Sequence, residues 1–486
     1  MTALIDNLVD GTWSQNGDGS PQPNLNPADQ RDVVGVYPMA TEAQAAEVVD
    51  AAVKAFPGWR RTSAIDRGVF LSRAADLLRE RSESIAADIT RENGKTLAEA
   101  RVEVIKSADF LDYYAGIARL PFGDLLDDAR PNAFVLTRRE PIGVIVAITP
   151  WNDPLLTPAR KISPALVTGN TVVVKPSPET PLSMQHLARA LHDAGLPAGV
   201  LNTVNAANEV VGSAVLADDR IAAVTFTGST RTGFALQRAL AGRTVRFQAE
   251  MGGKNASVVM PDADLDLAVK TIAAAAFAQA GQRCTATSRV IAHSDVHDLL
   301  VERLVSAAAT YRPGDGARGA VMGPVVHRDH QASVLRFVHE AQSQGATVLT
   351  GGDAPTDDDR KHGCFVNPTV LGDVTPEMTI WRQEVFGPVI AVVRAADLDH
   401  AVALVNESDY GLSAAIFTAD LHAAHRFIDE VDTGQVSVNL PTSGWDVHQP
   451  FGGFKQSGSS FKEQGLDALR YYTKTKTAAI AHGVLP

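Results

Sequence analysis

Apolar positions recur at helical spacing over residues 41–56, 64–87 and about 97–114, which predicts three amphipathic helices in the first part of the chain. Ahead of them, residues 17–29 are rich in Pro, Asn and Gly and predict an irregular surface segment. From about 142 to 247 the period changes. Short β-branched runs at 144–148, 171–174 and 221–226 each precede a helical stretch, starting at Pro154, Pro181 and Thr230. That alternation predicts a doubly wound parallel sheet, whose ligands lie at the carboxyl ends of the strands. A second α/β stretch, about 256–439, carries predicted strands at 288–292 and 389–394 and helices at 265–279 and 295–309. Two such units facing each other predict a cleft between them.

A chain of 486 residues is long enough for two to four units at roughly 150 residues each. The balance of 45% apolar and 21% charged residues is that of a globular chain with a large core. The net charge of −12 and the absence of a long basic run argue against nucleic acid or an anionic membrane surface as partner. The longest apolar runs, 144–148 and 272–278, are far too short to span a bilayer. The first residues hold two acids and no basic region, unlike a signal peptide. The two cysteines form neither a disulfide framework nor a CxxC pair, so no metal site is expected and a reducing cytoplasm is. Cys364, within Gly-Cys-Phe-Val, reads as a small buried hydrophobe.

The chemistry-bearing residues cluster just after the strands. The first ends in Thr149-Pro-Trp-Asn152, the second in Lys175-Pro-Ser-Pro-Glu179, the third in Phe226-Thr-Gly-Ser-Thr-Arg-Thr-Gly233. Gly228 and Gly233 bracket a helix start, where backbone N–H groups and the helix dipole suit a phosphate. The spacing is not GxGxxG, so the ordinary dinucleotide fingerprint is absent. Then follow Glu250-Met-Gly-Gly-Lys-Asn255 and Gly281-Gln-Arg-Cys284. Polar neighbours place Cys284 on a loop, and covalent attack on a carbonyl needs a base and an oxyanion donor, for which Glu250 and Asn152 are the candidates.

These segments, with Glu384-Val-Phe-Gly-Pro388 and Pro450-Phe-Gly-Gly453, resemble the aldehyde dehydrogenase superfamily in order and across almost the whole chain. The resemblance implies an α/β fold of two doubly wound parallel-sheet domains plus a β oligomerisation arm. Residues 1–119 with 142–251 would bind NAD(P)+, 252–452 would form the catalytic domain, and 120–141 with 470–486 the arm of a homodimer or homotetramer. Residues 132–137 alternate as an exposed strand would, an edge that a neighbouring subunit can cover. Cys284 would attack an aldehyde, Asn152 and the Cys284 N–H would hold the oxyanion, and Glu250 would activate water against the thioester. Glu384 would bind the nicotinamide ribose with Phe386 beside it, Lys175 the adenosine ribose, and Gly228 and Ser229 the pyrophosphate, with Trp151 and Gly252 close by. Without the resemblance, Trp151 reads as core, Gly252 and Gly253 as a tight turn and Glu384 as a surface acid.

Departures from the family pattern bear on specificity. Pro178 stands where NAD-preferring members often carry a ribose-binding glutamate, which favours NADP+ slightly over NAD+, with Lys175, Ser177 and Arg231 available to a 2′-phosphate; Glu179, one place later, weakens that preference. Arg160-Lys161 is similar to semialdehyde dehydrogenases of the succinic and α-ketoglutaric kinds, so Arg160 is the candidate for a distal carboxylate. Asp153 is either a substrate contact or a helix N-cap ahead of Pro154, and Trp445 and Phe451 supply an apolar wall. The alternative substrate is an aromatic aldehyde of the benzaldehyde or vanillin kind. An inactive structural homologue would normally lack Cys284 or Glu250, and a thiol hydrolase would not need the 226–233 loop or Glu384.

Overall fold

The computed structural model describes residues 2–15, 17, 21–120 and 122–482, so residues 121 and 483–486 of the expected arm lie outside it. The first three predicted helical stretches are present as four helices, Glu42–Trp59, Ala64–Glu80, Ser82–Asn93 and Leu97–Ile117. Thr41 and Thr96 open two of them with capping boxes, paired with Gln44 and Glu99. The single helix expected over 64–87 is instead broken at Arg81, which leaves helical geometry at φ −96°, ψ 10°. No Gly or Pro marks the break; Arg81 turns aside to pair with Asp193 at 2.8 Å.

Five parallel strands form the first large sheet, in the order Leu201–Thr203, Thr171–Lys175, Val144–Ile148, Ile221–Thr227 and Arg246–Glu250. Val144–Ile148 comes first in the chain yet sits in the middle. The next strand pairs on one side and Ile221–Thr227 on the other, with Ile148 opposite both Lys175 and Phe226. This reversal of strand order is where doubly wound sheets open a crevice. All three strands are almost wholly buried, which explains their continuous β-branched runs.

The second large sheet has seven strands, ordered Thr347–Thr350, Thr369–Gly372, Val389–Ala395, Thr287–His293, Asn255–Val259, Ser413–Phe417 and Gln435–Val438, antiparallel only at Thr347–Thr350. An extensive apolar cluster packs around it, including Phe277, Phe417, Phe427 and Cys364. Cys364 is fully enclosed, and its backbone bonds to Pro27 and Val325.

The third sheet corrects one expectation. Ala133–Pro141 pairs along its length with Thr473–Ala481 and, on its other side, with Leu125–Leu126, so it is the middle strand and the long open edge belongs to Thr473–Ala481. Alternation alone cannot tell an edge strand from a two-sided one whose faces differ. Residues 22–26 are likewise not irregular: Gln22–Asn26 pairs with Asp29–Tyr37. Asn24 inside it is buried and donates to the Glu179 carbonyl at 2.8 Å, a long-range bond that holds a strand of low β-propensity. Among the described residues no helix is long and apolar enough to cross a membrane.

One buried ion pair connects the helices to the first sheet. Lys95, fully enclosed, contacts the Glu103 carboxylate, donates to the Asn152 carbonyl at 2.8 Å and lies 3.2 Å from Asp153. Burial pulls the Lys95 ammonium down, but Glu103 and Asp153 more than offset it. The second oxygen of Glu103 accepts the N–H groups of Leu155 and Leu156, at 2.8 and 3.1 Å. Those are orphan donors at the start of helix Leu156–Val167, so an acid from another helix caps it. The Asp153 side chain therefore does not cap this helix, which also begins two residues later than Pro154. Glu103→Ala is expected to cost about 3–5 kcal/mol, because it strands a buried ammonium and two N–H groups. Glu103→Gln, which keeps an acceptor, should cost less. Urea denaturation of the two variants checks the order.

Candidate active site

Helix Leu265–Phe277 stops short of its expected end at 279. Gln279, Ala280 and Gly281 follow in left-handed geometry, with φ of 51°, 54° and 68°. Non-glycine residues there cost roughly 1–2 kcal/mol each, so the turn must be held from outside. Glu99 accepts the Gln279 N–H at 2.7 Å, and Gly281 packs so closely on the Gly387 carbonyl that a Cβ would lie 2.2 Å from its oxygen. The turn delivers Cys284 to its loop. There the Asn255 side chain donates to the carbonyls of Cys284 and Ala286, both at 2.8 Å, while its oxygen accepts the Ser413 N–H at 3.1 Å. Gly253 leaves room for the Cys284 carbonyl, which a Cβ would approach to 2.6 Å. Asn255 was not singled out in the sequence; its place at the end of the Glu250 segment was the available signal.

Two clefts meet at Cys284, and Asp153 and Arg160 line both. The first, of about 240 Å³, is lined by Trp151, Asn152, Gly228, Ser229, Glu384 and Phe386. Trp151 meets the Phe386 ring edge-on at 5.3 Å. Phe386 itself sits at φ +56°, and the His330 ring Nε2 donates to its carbonyl at 2.8 Å. His330, pulled down to about 4 by burial, is neutral and was not foreseen. Glu384 accepts the Gly253 N–H at 2.9 Å, and Gly252 admits its carboxylate where a Cβ would fall 2.3 Å from an oxygen. Burial pushes Glu384 up to about 7, against the Gly253 bond and Lys254. Ser229 caps helix Thr230–Leu240 through the Thr232 N–H.

Lys175 and Ser177 lie beyond this lining, at the end of strand Thr171–Lys175. Lys175 is buried and lowered by that burial, and among the described residues it pairs with no carboxylate. Such a cation suits a ribose hydroxyl or phosphate oxygen. Ser177 receives the Glu179 N–H at 3.3 Å, and Pro178 is exposed beside it. A crevice at the sheet's switch point, an unpaired buried ammonium and the Gly252–Glu384 seat together fit a nicotinamide dinucleotide.

The second cleft, about 190 Å³, is lined by Phe110, Arg283, Trp445, Val447, Phe451 and Gln464, besides the shared residues. Arg160 sits with its guanidinium 4.9 Å from the Phe451 ring centre and 3.1 Å from Glu463, a partner the sequence did not reveal. Asp153 does not neutralise it; that acid is taken by Lys95 and by Gln279 at 3.0 Å. Glu463 also pairs with Lys161. Glu250 is enclosed and set back from both linings, its two oxygens without a hydrogen-bond partner. Burial and then Glu463 drive its carboxyl far up, with Arg160, Lys161 and Lys462 opposing. Burial raises the Cys284 thiol too; Arg160 opposes this, and Glu250, Asp153 and Glu384 add to it. Both groups therefore rest neutral and ionise more readily as pH rises.

Residues 13–478 match the model of the aldehyde dehydrogenase family. An alpha-ketoglutaric semialdehyde dehydrogenase of Bacillus subtilis is 38% identical, over 98% of this chain and 97% of its own. The alpha-ketoglutarate semialdehyde dehydrogenase of Haloferax volcanii is 41% identical over 98% and 99%. A malonate-semialdehyde dehydrogenase of Geobacillus thermodenitrificans is 38% identical over 99% of each chain. The solved betaine aldehyde dehydrogenase of Staphylococcus aureus, in complex with NAD+, superposes with a TM-score of 0.95 at 32% identity, covering 98% of this chain and 94% of that one. With a full-length family match and relatives this similar, the chain belongs to the aldehyde dehydrogenase family.

Proposed function

We propose that the protein oxidises a carboxylated semialdehyde, such as α-ketoglutaric semialdehyde, to the acid with NAD(P)+. The observation that carries this reading is a cleft ending on Cys284 whose wall carries the guanidinium groups of Arg160 and Arg283. Semialdehyde dehydrogenases among its relatives agree with it. Cys284 Sγ bonds to the aldehyde carbon, and the thiol proton passes to water or to the ionised form of Glu250. The Asn152 amide and the Cys284 N–H hold the resulting oxyanion. A nicotinamide held beside Glu384 and Phe386 would supply the hydride acceptor for that carbon, and the carbon's loss of hydride would leave a thioester on Cys284. Ionised Glu250, having passed any thiol proton to solvent, then takes a proton from water as the water oxygen attacks the thioester carbon, and returns it to the departing sulfur, releasing the acid and the thiol. Because Glu250 is set back, it reaches that water by side-chain rotation.

The cofactor would lie along Trp151, Gly228, Ser229, Gly252, Glu384 and Phe386, with Lys175 and Ser177 at the adenosine ribose. NADP+ is favoured slightly, because Pro178 offers no carboxylate and Lys175 has no competing partner. Residues 1–119 with 142–251 are assigned to the cofactor, 252–452 to catalysis, and 120–141 with 470–486 to an arm that joins a homodimer or homotetramer. The open edge of Thr473–Ala481 and the exposed Leu125 and Ile480 support that assignment. A nucleophilic thiol without a disulfide partner points to the cytoplasm. The apolar wall of Phe110, Trp445 and Phe451 favours, as second reading, an aromatic aldehyde.

Wild-type enzyme should show a higher kcat/KM with α-ketoglutaric or succinic semialdehyde than with benzaldehyde, and Cys284→Ser should abolish both while still binding cofactor. A preference for benzaldehyde selects the second reading, and activity of the serine variant within tenfold of wild type removes the mechanism. Glu250→Gln should give a burst of reduced cofactor followed by turnover slowed about 10²-fold or more. Stopped-flow absorbance reads both phases; unchanged steady turnover would show that Glu250 is not the base. Pro178→Glu should move the ratio of catalytic efficiencies towards NAD+, since a carboxylate there accepts ribose hydroxyls and repels a 2′-phosphate. An unmoved ratio contradicts the assignment of that loop.

A further inference from the structure

We propose that Arg283, immediately before the nucleophile, anchors the distal carboxylate of the substrate, while Arg160 serves the reacting end of the cleft. The proposal rests on the semialdehyde reading above and names the residue that would enforce it.

Three cations line the cleft on the substrate side: Lys106, Arg160 and Arg283. Lys106 already faces Asp446 at 3.3 Å, and Arg160 faces Glu463 at 3.1 Å. Arg283 pairs with no carboxylate among the described residues. Its Nε donates to the Gln279 side-chain oxygen at 2.5 Å, and the Gln279 amide donates in turn to Asp153 at 3.0 Å. One nitrogen of the guanidinium is thus fixed and its terminal pair is left open. That is the half of the fork that binds a carboxylate bidentately. Gln279 is placed by the left-handed turn described above, so backbone strain is stored where it aims this side chain. Trp445, in the same lining, has an indole N–H with no protein acceptor and offers a second donor.

The opposing charges are Glu99, Glu103 and Asp153, which line the cleft too, and Glu103 is occupied by Lys95 and the N–H groups of Leu155 and Leu156. Glu99 is occupied by the N–H groups of Thr96 and Gln279, and Asp153 by Lys95 and Gln279. Although burial works against it, Lys95 and then Arg283 hold the Asp153 carboxyl down at about 2. All three acids are therefore committed to internal donors, whereas the terminal nitrogens of Arg283 hold no hydrogen-bond acceptor among the described residues. Because Arg283 neighbours Cys284 in the chain, a ligand held by both must be short.

The test is the steady-state kinetics of wild type, Arg283→Gln, Arg283→Glu and Arg160→Leu on succinic semialdehyde, butanal and 4-aminobutanal. A ratio of efficiencies within one preparation cancels the fraction of folded enzyme. Arg283→Gln should lower the ratio of succinic semialdehyde to butanal at least tenfold, mainly through KM, and Arg283→Glu should turn the preference towards the aminoaldehyde. If both ratios stay within threefold of wild type, the anchor is not Arg283. If only Arg160→Leu loses the preference, the anchor is Arg160 and the semialdehyde reading stands without this inference. A wild type indifferent to the carboxylate overturns both.

Discussion

Everything at the centre of this protein hangs on the enclosed contact between Lys95 and Glu103. Neither side chain reaches water, so each would be costly alone, and together they are tolerable only because every remaining donor and acceptor is used. Lys95 spends its other donors on Asn152 and Asp153; Glu103 spends its second oxygen on the helix that follows them. Through Asp153 the network reaches Gln279, and through Gln279 the residue before the nucleophile. Asn152, the Cys284 loop and the start of helix Leu156–Val167 are thus held by one connected set of polar bonds. Such a set contributes more to a single arrangement of the site than to net stability.

The second constraint is conformational. Three successive left-handed residues precede Cys284, and Phe386 across the first cleft is left-handed as well. Strain of this kind persists only where surrounding contacts over-determine it. Here those contacts are Glu99 on Gln279, the Gly387 carbonyl under Gly281, and His330 on the Phe386 carbonyl. Asn255 completes the seat by tying the Cys284 and Ala286 carbonyls to strand Asn255–Val259 of the seven-stranded sheet. The glycines at 252 and 253 belong to the same logic. Each stands where a Cβ would displace the group that the site needs there, the Glu384 carboxylate at 252 and the Cys284 carbonyl at 253.

Electrostatically the site is poised on the neutral side. Burial drives the Cys284 thiol and the Glu250 carboxyl towards their protonated forms, and neighbouring acids push the same way. Arg160 is the principal counterweight at the thiol. Its own charge is shared with Glu463, which also holds Lys161, so the field at Cys284 depends on residues far along the chain that return beside Glu250.

Much of this was legible without coordinates. The alternation of β-branched runs with helical stretches identified the first sheet, because parallel strands covered on both faces must be continuously apolar. The residues following those strands, Asn152, Lys175 and Gly228, marked the crevice, because strand order reverses around Val144–Ile148. Cys284 stood out as a thiol among polar neighbours, and Trp151, Asn152, Glu384, Phe386, Trp445 and Phe451 do line the clefts that meet at it. What stayed hidden was every feature set by partners distant in sequence. No local pattern encodes the break at Arg81, the strand at Gln22–Asn26 or the left-handed turn at Gln279, the last two of which are held by bonds to Glu179 and Glu99. The roles of Asp153 and Arg160 were decided likewise, by Lys95 and Glu463. Periodicity reports which face of an element is buried, so the sequence determined the layers and singled out the residues that line the clefts; only tertiary structure could assign each buried charge its counter-charge, since ion pairs form between residues that the fold, not the chain, makes neighbours.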